Sequence, residues 1–258
     1  MMLQDKVAVV AGVGPGLGRA IALACARAGA DVVLAARNES VLAEVAKEVE
    51  QLGRRALAAP TDLTDDAAVA ALADSALQAF GRVDVLVYNA FAVPAFADLT
   101  AIDVDAVRAS LETDVFGALR ITQRLAPTLT EHNGAIVMIN AMVVRQSKPS
   151  FGAYRMSKSG LLALAQSLST ELGPSGVRVN TVMPNYVWSD GLRGYFAYLA
   201  QERGITEKQV YDETAASLDL RRLPEADEVA NAVVFLASDL ASAITGQCLD
   251  VNAGELHR

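Results

Sequence analysis

Tyr154 and Lys158 stand four positions apart in the stretch NAMVVRQSKPSFGAYRMSKSG, residues 140–160. Four residues is about one helical turn, so the two side chains share a face. A lysine beside a phenol can lower the phenol's pKa, which suits the phenol to proton transfer. A carbonyl oxygen being reduced also wants a second hydrogen-bond donor. Upstream of the tyrosine, where such a donor could stand, the residues are Ala141 and Met142. The stretch reads either as a proton-transfer site with one part missing or as no active site at all.

A second group of residues suits a dinucleotide. AGVGPGLGRA (11–20) follows a short β-branched run and opens a helix-like stretch. Gly12, Gly16 and Gly18 bracket the turn, with Gly14 and Leu17 between them. Glycines allow tight backbone angles and let the backbone approach a pyrophosphate, and a helix N-terminus offers free N–H groups there. The position, at the first βα junction, is the one the mechanism requires. The next strand ends in LAARNES, with Arg37 and Asn38 at its tip and no carboxylate. An acid there would bind the ribose 2′-hydroxyl of NAD; an arginine accommodates the 2′-phosphate of NADP. The expectation is NADP(H), with NAD(H) the lesser choice.

The elements that must carry these residues alternate. Strand-like runs lie at about 6–12, 31–37, 55–60, 83–90, 134–140, 176–184 and 246–252. Helical patterns fall at 17–29, 39–53 and about 65–79, and one long helix is expected over 105–129. Strands that are apolar throughout, separated by helices, imply a parallel sheet covered on both faces. The expectation is α/β: a single doubly wound Rossmann domain over 1–258, with about seven parallel strands. Residues 186–223 break the rhythm. They are rich in aromatic, glycine and charged residues and read as a helical insertion. Because ligands bind beyond the carboxyl ends of such strands, the insertion is a candidate substrate lid.

Composition narrows the classes. The 258 residues suffice for one large core, and 52% hydrophobic residues argue against disorder. A net charge of −8 argues against a broad nucleic-acid face. No apolar run is long enough to span a bilayer, and the start, MMLQDKVAVVAGVG, lacks the pattern of a secretory signal. Cys25 and Cys248 read as buried core thiols, which fits a cytoplasmic location. With only His132 and His257 present, neither a zinc site nor a Ser-His-Asp triad is expected, and no metal is assigned.

Four features occur in order at compatible spacings: GVGPGLG, TDLT after the third strand, YNA after the fourth, and Tyr154-x-x-x-Lys158 after the fifth. Together they resemble the short-chain dehydrogenase/reductase family in its short single-domain form, and the resemblance runs through ASAITGQCLDVNAG near the end. It implies that Tyr154 is the general acid in reduction and the base in oxidation. Lys158 would bind the nicotinamide ribose and tune the tyrosine. Asp62 and Leu63 would touch the adenine, and Asn89 and Ala90 would line the cofactor channel. Family members show Pro-Gly and then a threonine after the sixth strand. Here PNYVWSD keeps Pro184, has Asn185 for the glycine, passes through Val187 and offers Ser189 in the threonine's place. The resemblance also implies a homodimer or homotetramer paired through helices that carry VFGALRITQRLAPTL and GLLALAQSLSTEL.

This chain departs from that pattern at three places. The family's asparagine in the long helix, which stabilises a kink and holds a relay water, is Asp114; an ionised Asp has no N–H to donate. The first-loop threonine is Ala11. The catalytic serine, thirteen positions before the tyrosine, is Ala141. Loss of one such donor costs roughly 2.7–4 kcal/mol, about 10²–10³ in turnover. Three explanations stand side by side: a replaced serine in a weakened variant, a substitute donor such as Asn140, or a natural pseudoenzyme. Asn140 should point to the opposite sheet face unless the strand has ended.

On the substrate side, Phe91, Val93, Met142, Val143, Val144, Trp188, Tyr195, Phe196 and Tyr198 lie near the expected mouth or on the insertion, and no basic cluster marks an anionic substrate. The sequence thus points to an NADP(H)-dependent oxidoreductase acting on an apolar or cyclic secondary alcohol or its ketone. The alternative is a catalytically inactive dinucleotide-binding sensor or scaffold.

Overall fold

A computed structural model describes residues 1–92 and 96–257. Seven strands form one parallel sheet: β1 (Val7–Ala11), β2 (Asp31–Ala36), β3 (Ala56–Pro60), β4 (Val85–Tyr88), β5 (Ala135–Ile139), β6 (Arg178–Pro184) and β7 (Cys248–Val251). Their order is β3-β2-β1-β4-β5-β6-β7. Val9 of β1 lies opposite Val33 of β2 on one side and Leu86 of β4 on the other. The chain winds outward in both directions from this central pair, so the loops beyond β1 and β4 part and leave a crevice.

Both faces of the sheet are covered. The helices α1 (Leu17–Arg27), α2 (Glu39–Gln51) and α9 (Ala226–Ala237) form one layer; α3 (Asp66–Phe80), α5 (Gly117–Glu131) and α6 (Gly152–Leu172) form the other. Along β1, Ala8 and Val10 face the first layer while Val7, Val9 and Ala11 face the second. A period-2 strand between two helical layers must be apolar at every position, which is why its sequence does not alternate.

The helix expected over 105–129 is not continuous. Helical backbone runs from α4 (Val104–Leu111) to the end of α5, but a π turn, Glu112–Phe116, lies between them. The Tyr88 hydroxyl donates to the Thr113 carbonyl inside this turn at 2.5 Å. A Cβ on Gly117 would come within 2.6 Å of that hydroxyl, so the glycine lets the helix pass. A single inserted residue rotates the apolar face by only about a quarter of a turn, and π turns are frequent at functional sites.

The excursion after β6 contains α7 (Asp190–Arg203) and α8 (Glu207–Ala216), which enclose a small core of Phe196, Val210, Leu218 and Leu223. Trp188 packs on it, 5.8 Å from Phe196 and 4.9 Å from Tyr211 between ring centres. Among the two thiols, Cys25 is buried as expected. Cys248 is only half-buried, because β7 has a neighbour strand on one side alone. No helix among the described residues is long and apolar enough to cross a membrane.

Candidate active site

One cleft of 1670 Å³ runs across the carboxyl ends of β1, β2, β4, β5 and β6. Of the cofactor and substrate residues expected from the sequence, all except Val93 have a described position, and most of them line this cleft. Val93 lies outside the described residues.

The glycine loop forms one end. Gly12 has φ +97, and a Cβ there would strike the Ala90 backbone. A Cβ on Gly18 would strike the Gly12 carbonyl, and Asn89 Nδ2 donates to that same carbonyl at 2.7 Å. These two glycines serve loop packing. Gly14 and Gly16 instead border open space: nothing lies within 4 Å of a Cβ on Gly14, and only Ser189 Cβ, at 3.7 Å, meets one on Gly16. The N-terminus of α1 at Gly16 and Leu17 has no side-chain cap and no acid in its first turn. By contrast α2 is capped by Asn38, whose Oδ1 accepts from the N–H groups of Ser40 and Val41. Free donors beside an open glycine cradle suit a pyrophosphate.

Arg37 is exposed on the cleft wall and has no ion-pair partner among the described residues. Asp62 also lines the cleft, with buried Leu63 next to it. The N–H and hydroxyl of Thr64 hold the Asp62 carboxyl below its usual range, and the charge of Arg37 adds to this. Asn38 has spent its oxygen on the helix cap, so only its N–H groups can meet a ligand. Pro184 and Val187 line the far wall. Ser189, expected as the stand-in for threonine, caps α7 through Leu192 N at 3.4 Å while its Cβ faces Gly16.

The other end of the cleft holds the proton-transfer residues. Tyr154 and Lys158 lie on α6 as the spacing predicts, and Tyr154 lines the cleft. Among the described residues the Tyr154 hydroxyl has no hydrogen-bond partner and none joins it to Lys158. Burial, then the charge of Asp114, push the Tyr154 phenol above its ordinary value. Burial depresses Lys158, against the opposing pull of Asp114.

Asp114 sits in the π turn with no exposed surface. Its Oδ1 accepts from Ala92 N at 2.9 Å, its Oδ2 accepts from the Ser157 hydroxyl at 2.9 Å, and Lys158 Nζ lies 3.6 Å from Oδ2. Ser157 was not singled out by sequence. Its place next to Lys158 and three residues after Tyr154 is the only signal it carries.

Ala141 follows the end of β5 in an extended conformation and lines the cleft as methyl only. Asn140 does not replace the missing donor. β5 ends at Ile139, and the Asn140 side chain turns inward, donating to the Lys158 carbonyl at 3.0 Å and accepting Ala141 N–H at 2.8 Å.

Around Tyr154, Phe91, Met142, Val143, Trp188 and Tyr195 line the cleft as expected; Phe96 and Phe151 join them, their rings 4.8 Å apart. Val144, Phe196 and Tyr198 do not line it: Phe196 fills the core of the excursion and Tyr198 faces out. Cations also reach the cleft. Lys148 lies 5.8 Å from the Tyr186 ring, and the Arg193 guanidinium lies 4.9 Å from the Trp188 ring. Forty-five positions separate them in sequence, so no cluster was visible there. No group of three or more His, Cys, Asp or Glu able to hold a metal lies among the described residues.

Known proteins are similar to this chain over nearly its whole length. The family model described as Enoyl-(Acyl carrier protein) reductase matches residues 12–255. The cis-4-hydroxycyclohexanecarboxylate dehydrogenase of Sinomonas cyclohexanicum is 36% identical over 251 residues, covering 97% of this chain and 96% of its own. The crystal structure of carveol dehydrogenase from Mycobacterium avium in complex with NAD superposes with a TM-score of 0.92 at 27% identity, over 98% of each chain. That of L-sorbose reductase from Gluconobacter frateurii, complexed with NADPH and L-sorbose, gives a TM-score of 0.93 at 28% identity, over 100% of each chain.

Proposed function

Because the chain belongs to the short-chain dehydrogenase/reductase family, we propose that it is an NADP(H)-dependent oxidoreductase interconverting an apolar or cyclic secondary alcohol and its ketone. One observation carries this reading. A single cleft joins the open glycine cradle and Arg37 to the unpartnered Tyr154 hydroxyl. Solved relatives bind NAD or NADPH. The preference for NADP(H) rests on Arg37 and on the absence of a carboxylate at the tip of β2. The aromatic wall of Phe91, Phe96 and Phe151 supports an apolar substrate, and the ring-borne alcohols in the names of two relatives support a cyclic one.

The nicotinamide supplies or accepts the hydride when the dinucleotide is bound. The chain's own residues do the rest. Gly14, Gly16 and the first amides of α1 would hold the pyrophosphate, and Arg37 would meet the 2′-phosphate. Asp62 and Leu63 would border the adenine; Asn89, Ala90, Pro184, Val187 and Ser189 would wall the path to the nicotinamide. Tyr154 gives its phenolic proton to the carbonyl oxygen as hydride arrives at carbon, and takes it back in oxidation. Ala141 offers that oxygen no hydrogen bond, so turnover lies about 10²–10³ below that of a site with a hydroxyl there. The excursion carrying Trp188 and Tyr195 acts as a lid over the substrate.

Self-association belongs to the same reading. Phe116 and Met156, 48% and 47% exposed on the flank of α5 and α6, support a homodimer or homotetramer paired there. Two unpaired thiols support a cytoplasmic location.

The test is a panel of cyclic and open-chain ketones with NADPH, followed at the nicotinamide absorbance, beside direct NADPH titration. Slow, Tyr154-dependent oxidation of NADPH on a cyclic ketone is expected. Tight NADPH binding with no turnover on any ketone, before or after Ala141→Ser, overturns the enzyme reading in favour of a sensor or scaffold.

A further inference from the structure

We propose that Asp114 is a positioning residue that claims Lys158 as its ion-pair partner and holds the lysine's charge off the Tyr154 phenol, leaving the site set to give a proton rather than take one. The proposal rests on the reading of Tyr154 as the proton-transfer group. Its geometry is independent of that reading. The carboxylate is fully buried and engaged from three sides: by Ala92 N from the loop after β4, by the Ser157 hydroxyl from α6, and by Lys158 Nζ at 3.6 Å. It is placed there by the π turn, which swings residue 114 out of the α-helical register.

The carboxylate is met by two hydrogen bonds and by Lys158, whose pKa burial lowers against the opposing pull of Asp114. Whatever positive charge the lysine carries thus faces a carboxylate of opposite sign. Asp114 acts on Tyr154 from another element; Lys158 stands one turn along the same helix as Tyr154 and lies against that carboxylate. Tyr88 faces the same carboxylate from β4 and is likewise pushed up by burial and by that charge. An anion beside a phenol opposes loss of its proton, in line with the raised value of Tyr154. A neutral amide at position 114 would keep the shape and the bond to Ala92 while removing the anion.

The test is Asp114→Asn, read by tyrosinate absorbance and not by turnover alone. The Tyr154 signal is isolated as the difference between each protein and its Tyr154→Phe counterpart. In the unaltered protein no Tyr154 phenolate is expected up to about pH 10, the ordinary tyrosine value. In Asp114→Asn the ionisation is expected roughly 1–3 pH units lower, the range through which one neighbouring charge moves a pKa. Where a secondary alcohol is turned over, the alkaline rise of kcat/KM in oxidation should move down by the same amount. Ionisation of Tyr154 at or below the ordinary value in the unaltered protein overturns the proposal. So does an unchanged Tyr154 titration in a folded Asp114→Asn protein, which would leave Asp114 a purely structural clamp. If Asp114→Asn does not fold, Asp114→Ser is titrated in the same way, and an unchanged Tyr154 ionisation there overturns the proposal. Failure of the oxidoreductase reading shows separately, as absence of hydride transfer in every variant.

Discussion

The Asn140 side chain ties the end of β5 to α6 by donating to the main-chain carbonyl of Lys158 at 3.0 Å. Its oxygen is taken by the N–H of the next residue at 2.8 Å. An amide used this way, and 4% exposed, holds the platform beneath Tyr154 and is not aimed at substrate. Asn140→Ala should therefore cut this tie and leave the Ala141 N–H without its acceptor, costing about 1–3 kcal/mol of stability, measured by urea unfolding. A variant that lost turnover at unchanged stability would instead make Asn140 a substrate donor.

Ala141→Ser should raise ketone reduction by about 10²–10³, the size of one oxyanion donor. The backbone there, φ −150 and ψ 148, is extended and accepts serine without strain. NADPH affinity, read by fluorescence titration, should hardly move, because the position lies away from the glycine cradle. Tyr154→Phe placed on top should abolish the gain, since a serine hydroxyl cannot replace the phenol's proton. Full activity before the substitution, with no rise after it, would mean that some other group already stabilises the oxygen.

Arg37→Ala should weaken NADPH binding and leave NADH nearly unchanged. The guanidinium has no carboxylate partner among the described residues, so its removal costs the fold little and any effect belongs to the 2′-phosphate. Calorimetric titration with both dinucleotides checks this. Equal losses for the two would show that Arg37 meets something they share.

The glycines of the loop should separate by function. Gly12→Ala puts a Cβ into the Ala90 backbone at φ +97, and should cost about 1–3 kcal/mol of stability through strain and overpacking. Gly14→Ala meets nothing within 4 Å. It should leave thermal unfolding of the free protein unchanged and weaken dinucleotide binding. A Gly14→Ala protein that binds NADPH normally would remove Gly14 from the cradle.

The return of the excursion to α9 carries a pH dependence. Trp188 N donates to Pro224 O at 2.8 Å, and Glu228 fixes the following turn through Arg222 and Glu225 N. The Arg222 side chain, then the Glu225 N–H, lower the Glu228 carboxyl from 4.5 to about 2. A carboxyl with a depressed folded-state pKa stabilises fully above its unfolded value and loses that contribution as pH falls through the folded one. The contribution should thus be complete above pH 4.5 and fade towards about pH 2. Melting temperatures of the unaltered protein and Glu228→Gln should converge across that window. Parallel curves would exclude the pair as the source.

Much of this molecule was legible in one dimension, for physical reasons. Strands buried on both faces must be apolar throughout, so β1, β2, β4 and β5 stood out as short unbroken runs. Helices capped by Asn38, Asp65 or Ser189 start where such side chains can accept backbone N–H groups. The glycine turn, Arg37 and the Tyr154–Lys158 pair were readable because each depends on local spacing along one turn or one junction.

Tertiary structure decided what depends on residues far apart in the chain. It joined Asp114 to Lys158 across 44 positions and through a π turn. Burial first, and then the charge of Asp114, raise the Tyr154 phenol, because the sign of a pKa shift follows the depth of burial and the nearest charge, neither of which is written locally. Tertiary structure likewise tied the Asn140 side chain to the Lys158 carbonyl and the Ala141 N–H, sent Phe196 into a core of its own and brought Lys148 and Arg193 to one cleft. A side chain's type sets what chemistry it can do. Which partner stands within a few ångströms sets what it does, and that is a property of the packed fold alone.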